Sequence, residues 1–333
     1  MAGVLSIMLA GLVLAIPGLH AVGRRIAHAD KGWLVLAGAL EGASVLGYML
    51  AFQRVFDGLP RRFAALVAGA EQAFGAVVPV GGAGGIAAGG WLLARRGVPL
   101  ARIAERSGVL FLVTSATNVT ALLVAAAGLA LGLFSGPHDA LLTLGPAALA
   151  LAVLAFFLRL ARRVPREASV EGDRRRRRAV RALAQVTAET LRLIRHPGWR
   201  LAVGAPAYLL CDVAVLWLAL HAVGQSVPAA ALVVAYLLGY LVTAIPVPGG
   251  IGVLDGGLAG VLLIYHVPAA TAFGGVLIYH ALALWIPTVT GALAFVAAQR
   301  ETGNVQLRQA PAEVDRSARA PLRAHAGPTV LSS

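Results

Sequence analysis

Cysteine is nearly absent from the chain, with Cys211 the single thiol in 333 residues. A lone thiol inside an apolar run excludes a disulfide framework and a thiolate metal cluster, and it leaves Cys211 as a helix-packing residue. Charge is scarce as well, at 13% of residues against the roughly 25% of an average soluble domain. The eight histidines are scattered and form no H-E-x-x-H spacing. There is no nucleophile elbow, and the glycine-rich PVGGAGG at 79–85 lacks the G-K-[ST] ending of a phosphate-cradling loop. No catalytic residue, metal or cofactor is expected from such a pattern.

What the chain has is apolar length: 59% apolar residues and a mean hydropathy of +0.79. That composition predicts an integral membrane protein. The net charge of +13 does not indicate nucleic-acid binding, because the basic residues fall in short clusters between apolar runs. Cytoplasmic loops beside anionic lipid have that arrangement.

Taken in order, the first apolar run, 3–19, has no basic residue before it and reads as a short first span rather than a signal peptide. A second run, 33–52, carries Glu41. A third, 63–78, stops at PVGGAGG, and a short apolar piece at 86–94 follows. Nine residues rise only about 14 Å, too little for a hydrocarbon core of roughly 30 Å, so this pair is expected to be a re-entrant hairpin or a broken helix. The run 107–134 holds a polar midsection, Thr114, Ser115, Thr117, Asn118 and Thr120, of which Asn118, Thr114 and Thr117 are expected as interhelical hydrogen-bonding groups rather than as a pathway site. The run 140–158 completes the first half.

From Arg159 to Arg200 the composition turns basic, with RRRRR at Arg174–Arg178, and apolar residues recur at helical spacing over 180–194. This predicts an amphipathic helix on the membrane surface in a cytoplasmic loop, with anionic lipid head groups as partners of Arg174–Arg178. The second half repeats the first: a span over 201–222 bearing Asp212, a run over 229–247, a break, a short helix over 251–264 and a long run over 269–297. Residues 1–298 thus read as one membrane domain, and 299–333 as a disordered cytoplasmic tail.

The break, PVPGGIGVLD at Pro246–Asp255, matches the earlier one. Setting Pro79 on Pro248 sets Gly81 on Gly250, Val98 on Val267 and Pro99 on Pro268, while Glu41 and Asp212 fall in corresponding spans. The expected fold is an all-α polytopic bundle of two repeats, about 33–134 and 201–297, with some six crossings and two Pro/Gly-broken helix pairs. Three crossings separate the repeat starts, so the repeats are expected to be inverted, as in many secondary transporters. The same count puts both termini in the cytoplasm, with only Arg24, Arg25 and Lys31 of the 28 basic residues outside.

Asp255 is a carboxylate next to broken backbone at membrane depth, which points to a substrate or ion pathway; capping the helix after the break is the simpler role. Glu41 and Asp212 are candidates to carry protons or to neutralise a cationic head group, or else to bond neighbouring helices. The series Gly81, Gly85, Gly89 and Gly252, Gly256, Gly260 are expected to line close helix contacts.

The motifs PVGGAGGIAAGGWLLARRGVP (79–99) and PVPGGIGVLDGGLAG (246–260), followed by Tyr279, His280, Trp285 and Pro287, resemble the membrane region of lysylphosphatidylglycerol synthases, a flippase-like family. The resemblance covers roughly residues 3–298. In full-length synthases a soluble aminoacyl transferase domain follows. The sequence after Ala297 is a short polar tail, so the resemblance implies translocation of a lipid or lipid-linked substrate, not its synthesis. It also implies pathway roles for Pro248, Gly249, Gly250, Gly81, Gly82, Tyr279, His280 and Trp285. Two positions depart from the family pattern: Asp255 stands where many relatives have Glu, and His280 where Arg is common. The alternatives are a membrane-embedded lipid-modifying enzyme and a non-catalytic accessory protein binding a partner through the Arg-rich loop.

Overall fold

The computed structural model describes residues 19–78, 83–136, 140–162, 174–241 and 253–318. Pro248, Gly249, Gly250, Gly81 and Gly82 lie outside them, as do the first apolar run up to residue 18 and residues 319–333. Every regular element among the described residues is helical. The helices are α1 (Leu19–Ala27), α2 (Lys31–Val55), α3 (Arg61–Val77), α4 (Ala83–Arg95), α5 (Leu100–Ala130) and α6 (Ala140–Arg162). They continue with α7 (Arg174–Arg195), α8 (Gly198–Ala222), α9 (Ala229–Leu241), α10 (Val253–Ile264) and α11 (Ala269–Ala318).

Among the described residues, four helices are long and apolar enough to cross a membrane: α2, α5, α8 and the 269–303 part of α11. These are four of the six expected crossings, and α6 contributes the apolar stretch Thr143–Val153. The helix that carries the last span runs on to Ala318, past the apolar run that ends at 297.

The bundle is organised by α2 against α8. Asp30 N–H donates to Ala222 O, Ser44 Oγ to Tyr208 O, and Arg54 Nε to Pro197 O, at 2.9 to 3.0 Å. Positions rise along α2 as their partners fall along α8, so the two helices are antiparallel. Glycine permits the contact. A Cβ added at Gly47 would lie 2.7 Å from Tyr208 N, and one at Gly204 would lie 2.6 Å from Gly47 O. The backbones touch there, as small-residue crossings allow.

Two apolar cores lie along this pair. One joins Phe52, Phe63, Val67, Leu92 and Leu93 with Ile103 and Val113 of the N-terminal half of α5. The other joins Leu216, Leu220, Leu232, Leu258 and Val276 with Leu122 and Leu129 of its C-terminal half. The packing is reciprocal: α3 lies on α11 and α9 on α5, while α3 pairs with α4 and α9 with α10.

The first broken pair is an antiparallel hairpin. Gly84 packs beside Phe74 and Val78 and Gly89 beside Glu71, while Arg96, just past α4, stacks its guanidinium 4.0 Å over the Phe63 ring. The end of α4 therefore returns to the start of α3. The glycine series divide here. Cβ atoms at Gly85 and Gly89 would collide with Glu71 at 2.5 and 2.0 Å, so these two do line a close contact. Gly256 and Gly260 have open space, and the expectation fails for them.

The basic residues gather at one end. Arg106 bridges to Val55 O and Glu189, Arg96 to Glu301, and Arg54 to the turn before α8. At the opposite end, Arg25 donates to Val223 O and Trp33 packs edge-on against Trp217. α7 is helical from Arg174, and its buried Leu193, Thr187 and Thr190 face the bundle.

Candidate functional site: a buried carboxyl and phenol cluster

Glu41 on α2 and Asp212 on α8 stand in corresponding places of the two sequence halves and 171 residues apart, and antiparallel packing brings their carboxyl groups into contact. Glu41 is 4% exposed, and its Oε2 is buried without a hydrogen-bond partner. Two carboxyls can share a hydrogen bond when at least one of them is protonated, so the pair can take up protons between the helices.

Phenols enclose the pair on one side. The Tyr236 hydroxyl of α9 donates to Asp212 Oδ2, and the Tyr279 hydroxyl of α11 donates to the same oxygen at 3.2 Å. Tyr240 and Tyr279 hydroxyls lie 2.9 Å apart. Three helices thus converge on Asp212. Tyr279 is 1% exposed and belongs to the cluster through its bonds to Asp212 and Tyr240. Trp285 is 64% exposed and faces out of the bundle, and His280 is half-buried beside Tyr279.

A second buried carboxyl was missed by sequence reasoning. Glu71 of α3 is 5% exposed, and its Oε2 accepts a 2.8 Å hydrogen bond from the Tyr48 hydroxyl. The signal was present, since Glu71 is the only acid in the apolar run 63–78. Tyr48 leads back toward the first pair: its ring lies 5.2 Å from that of Tyr208, whose hydroxyl bonds Gln72. Tyr208 stands one turn from Asp212 on α8, and Glu41, Ser44 and Tyr48 follow at i, i+3 and i+7 on one face of α2.

Asn118, Thr114 and Thr117 take no part in these hydrogen bonds. Asn118 is exposed. The α5 threonines do not bridge helices: Thr114, Thr117 and Thr120 hydroxyls donate back to carbonyls of their own helix, three or four residues earlier. A threonine hydroxyl can reach its own preceding turn without any partner helix, and here it does. Asp255 lies in the first turn of α10. No group of His, Cys, Asp and Glu that could hold a metal ion occurs among the described residues.

Membrane-length helices folded around an enclosed carboxyl and phenol cluster define a polytopic helical membrane protein with ionisable groups at bilayer depth. The family model for the lysylphosphatidylglycerol synthase TM region matches residues 2–291, and the chain belongs to that family. No curated protein matches the chain.

Proposed function

We propose that this protein moves a lipid or lipid-linked substrate between the leaflets of a cell membrane. The observation that carries the reading is the antiparallel α2–α8 pair, whose matched carboxyls meet at membrane depth between two Pro/Gly-interrupted helix pairs. Buried ionisable groups in a bilayer are costly and are kept for transport or proton movement. The antiparallel relation of α2 and α8 also supports two inverted repeats, the arrangement of alternating-access transporters. In this reading the first turns of α4 and α10 offer positive dipole ends to a head-group phosphate, and Asp255 stands at the second of them.

The basic end of the bundle is the cytoplasmic face, with both termini there and Arg174–Arg178 held to anionic lipid. The chain's own role is translocation rather than catalysis. The test is exchange of nitrobenzoxadiazole-labelled phosphatidylglycerol between leaflets of reconstituted vesicles, read by dithionite quenching. Wild-type protein accelerates exchange, and Asp212→Asn slows it at least tenfold at equal folded yield. No acceleration by the wild type, or equal rates in Asp212→Asn, Asp255→Asn and His280→Ala, overturns the reading.

A further inference from the structure

The Glu71–Tyr48 pair lies outside the Glu41–Asp212 site and is not needed to build it, yet it is buried, hydrogen-bonded and aligned with it. Along α2, Tyr48 is seven residues from Glu41, about 10 Å at helical rise. Glu71 lies ten residues from the basic start of α3, about 15 Å in, and Glu41 lies eight residues from Trp33 at the other end, about 12 Å in. The two acidic stations are therefore at different depths, one nearer each end of the bundle. Between them stand Tyr48, Ser44 and Tyr208, whose hydroxyls can each donate and accept a hydrogen bond.

We propose that these residues form a proton path, and that translocation by this protein is driven by a proton gradient through exchange between Glu71 and the Glu41–Asp212 pair. This rests on the translocation reading above and adds its energy source. The step balances in O–H bonds alone. Protonated Glu71 gives its proton to the Tyr48 oxygen while the Tyr48 hydroxyl releases its own toward Tyr208. Tyr208 passes a proton on, and the acid pair accepts it at Glu41 Oε2, leaving Glu71 as a carboxylate.

Every element packed on the two stations contributes its groups. Glu71 is faced by Tyr48 of α2 and by the glycines of α4, with Gln72 beside it. The acid pair is faced by Tyr208 and Cys211 of α8, Tyr236 and Tyr240 of α9, and Tyr279 of α11, with His280 one residue beyond. The buried Glu41 Oε2 without a hydrogen-bond partner is the acceptor position at the end of the path.

The experiment uses the full chain in vesicles of phosphatidylglycerol and phosphatidylethanolamine with trapped pyranine and a trace of nitrobenzoxadiazole-labelled phosphatidylglycerol. A pH gradient is imposed, and lipid exchange and internal pH are followed together. The expected result is wild-type exchange accelerated at least threefold by the gradient, with faster gradient loss than in empty vesicles. Glu71→Gln abolishes both effects. Tyr48→Phe, which keeps the ring and removes only the hydroxyl, reduces both at least fivefold and serves if Glu71→Gln does not fold.

Exchange that is indifferent to the gradient overturns the proton path and leaves translocation standing. Full gradient response in either variant overturns it as well. Protein-dependent gradient loss that Tyr48→Phe blocks, without any lipid exchange, supports the path and overturns translocation. Neither effect in the wild type overturns both.

Discussion

The Tyr48 hydroxyl donates a 2.8 Å hydrogen bond to Glu71 Oε2, across the contact between α2 and α3 and inside an otherwise apolar core. A carboxyl enclosed this way depends on its one donor and on the backbone of α4 that closes over it. Gly85 and Gly89 permit that closure because they carry no Cβ.

Gly89→Ala is expected to destabilise the protein by about 1–3 kcal/mol, because its methyl would overlap the Glu71 carboxyl. Gly256→Ala, with open space around the same type of helical glycine, is expected to be neutral or to stabilise by up to about 1 kcal/mol. Thermal unfolding of both variants in one detergent gives the comparison. Equal melting temperatures would contradict the close contact at Gly89.

Tyr236→Phe removes a donor to Asp212 while keeping the ring in place. Loss of a hydrogen bond to a buried acceptor costs about 1–3 kcal/mol. Tyr240→Phe is expected to cost less, since Asp212 keeps both its donors. Denaturation of the two variants side by side checks the order.

Glu41→Gln and Asp212→Asn act on one shared hydrogen bond, so their effects on lipid exchange should not add. The double variant is expected to be no more than about twofold slower than the slower single variant, as for residues that work as a unit. Multiplicative losses would show that the two carboxyls act separately.

Arg106 joins α5 to α7 through Glu189, with both side chains 17% exposed, and Arg192 shares the same Glu189 oxygen. Arg106→Ala is expected to raise hydrogen exchange across residues 181–195 while the α2–α8 core stays protected. Unchanged exchange there would mean that burial of Leu193, Thr187 and Thr190 alone holds α7.

Antiparallel α2 and α8 put Trp33 and Trp199 at opposite ends of the bundle. In a Cys211→Ser background, cysteines at these two positions are expected to react with an impermeant maleimide from opposite sides of the membrane. A reporter fused after Lys31 gives the matching result from the non-basic side, and labelling of both cysteines from one side would contradict the crossing pattern.

Much of this fold could be read from the chain because its causes are local. Runs of apolar residues longer than a bilayer core require helices, and Pro and Gly stop them, so α3 ends at Val77, beside the motif that predicted its end. Glu41 and Asp212 stand out as lone acids in corresponding apolar spans, whereas Glu71, equally alone in its run, has no matching acid in the second half. Tyr236 and Tyr240 gave no signal, since a tyrosine in an apolar helix is most often packing.

The sequence by itself determined the membrane character, the helices of the apolar spans and the acids that stand out in them, through hydropathy and helical rise. Only the tertiary structure decided which groups meet. Register between α2 and α8 is set by the backbone contact of Gly47 with Gly204, and that contact joins residues 157 positions apart by shape rather than by pattern. From it follow the Glu41–Asp212 pair, the phenols around Asp212 and the separate Glu71–Tyr48 pair, none of which any single helix can specify.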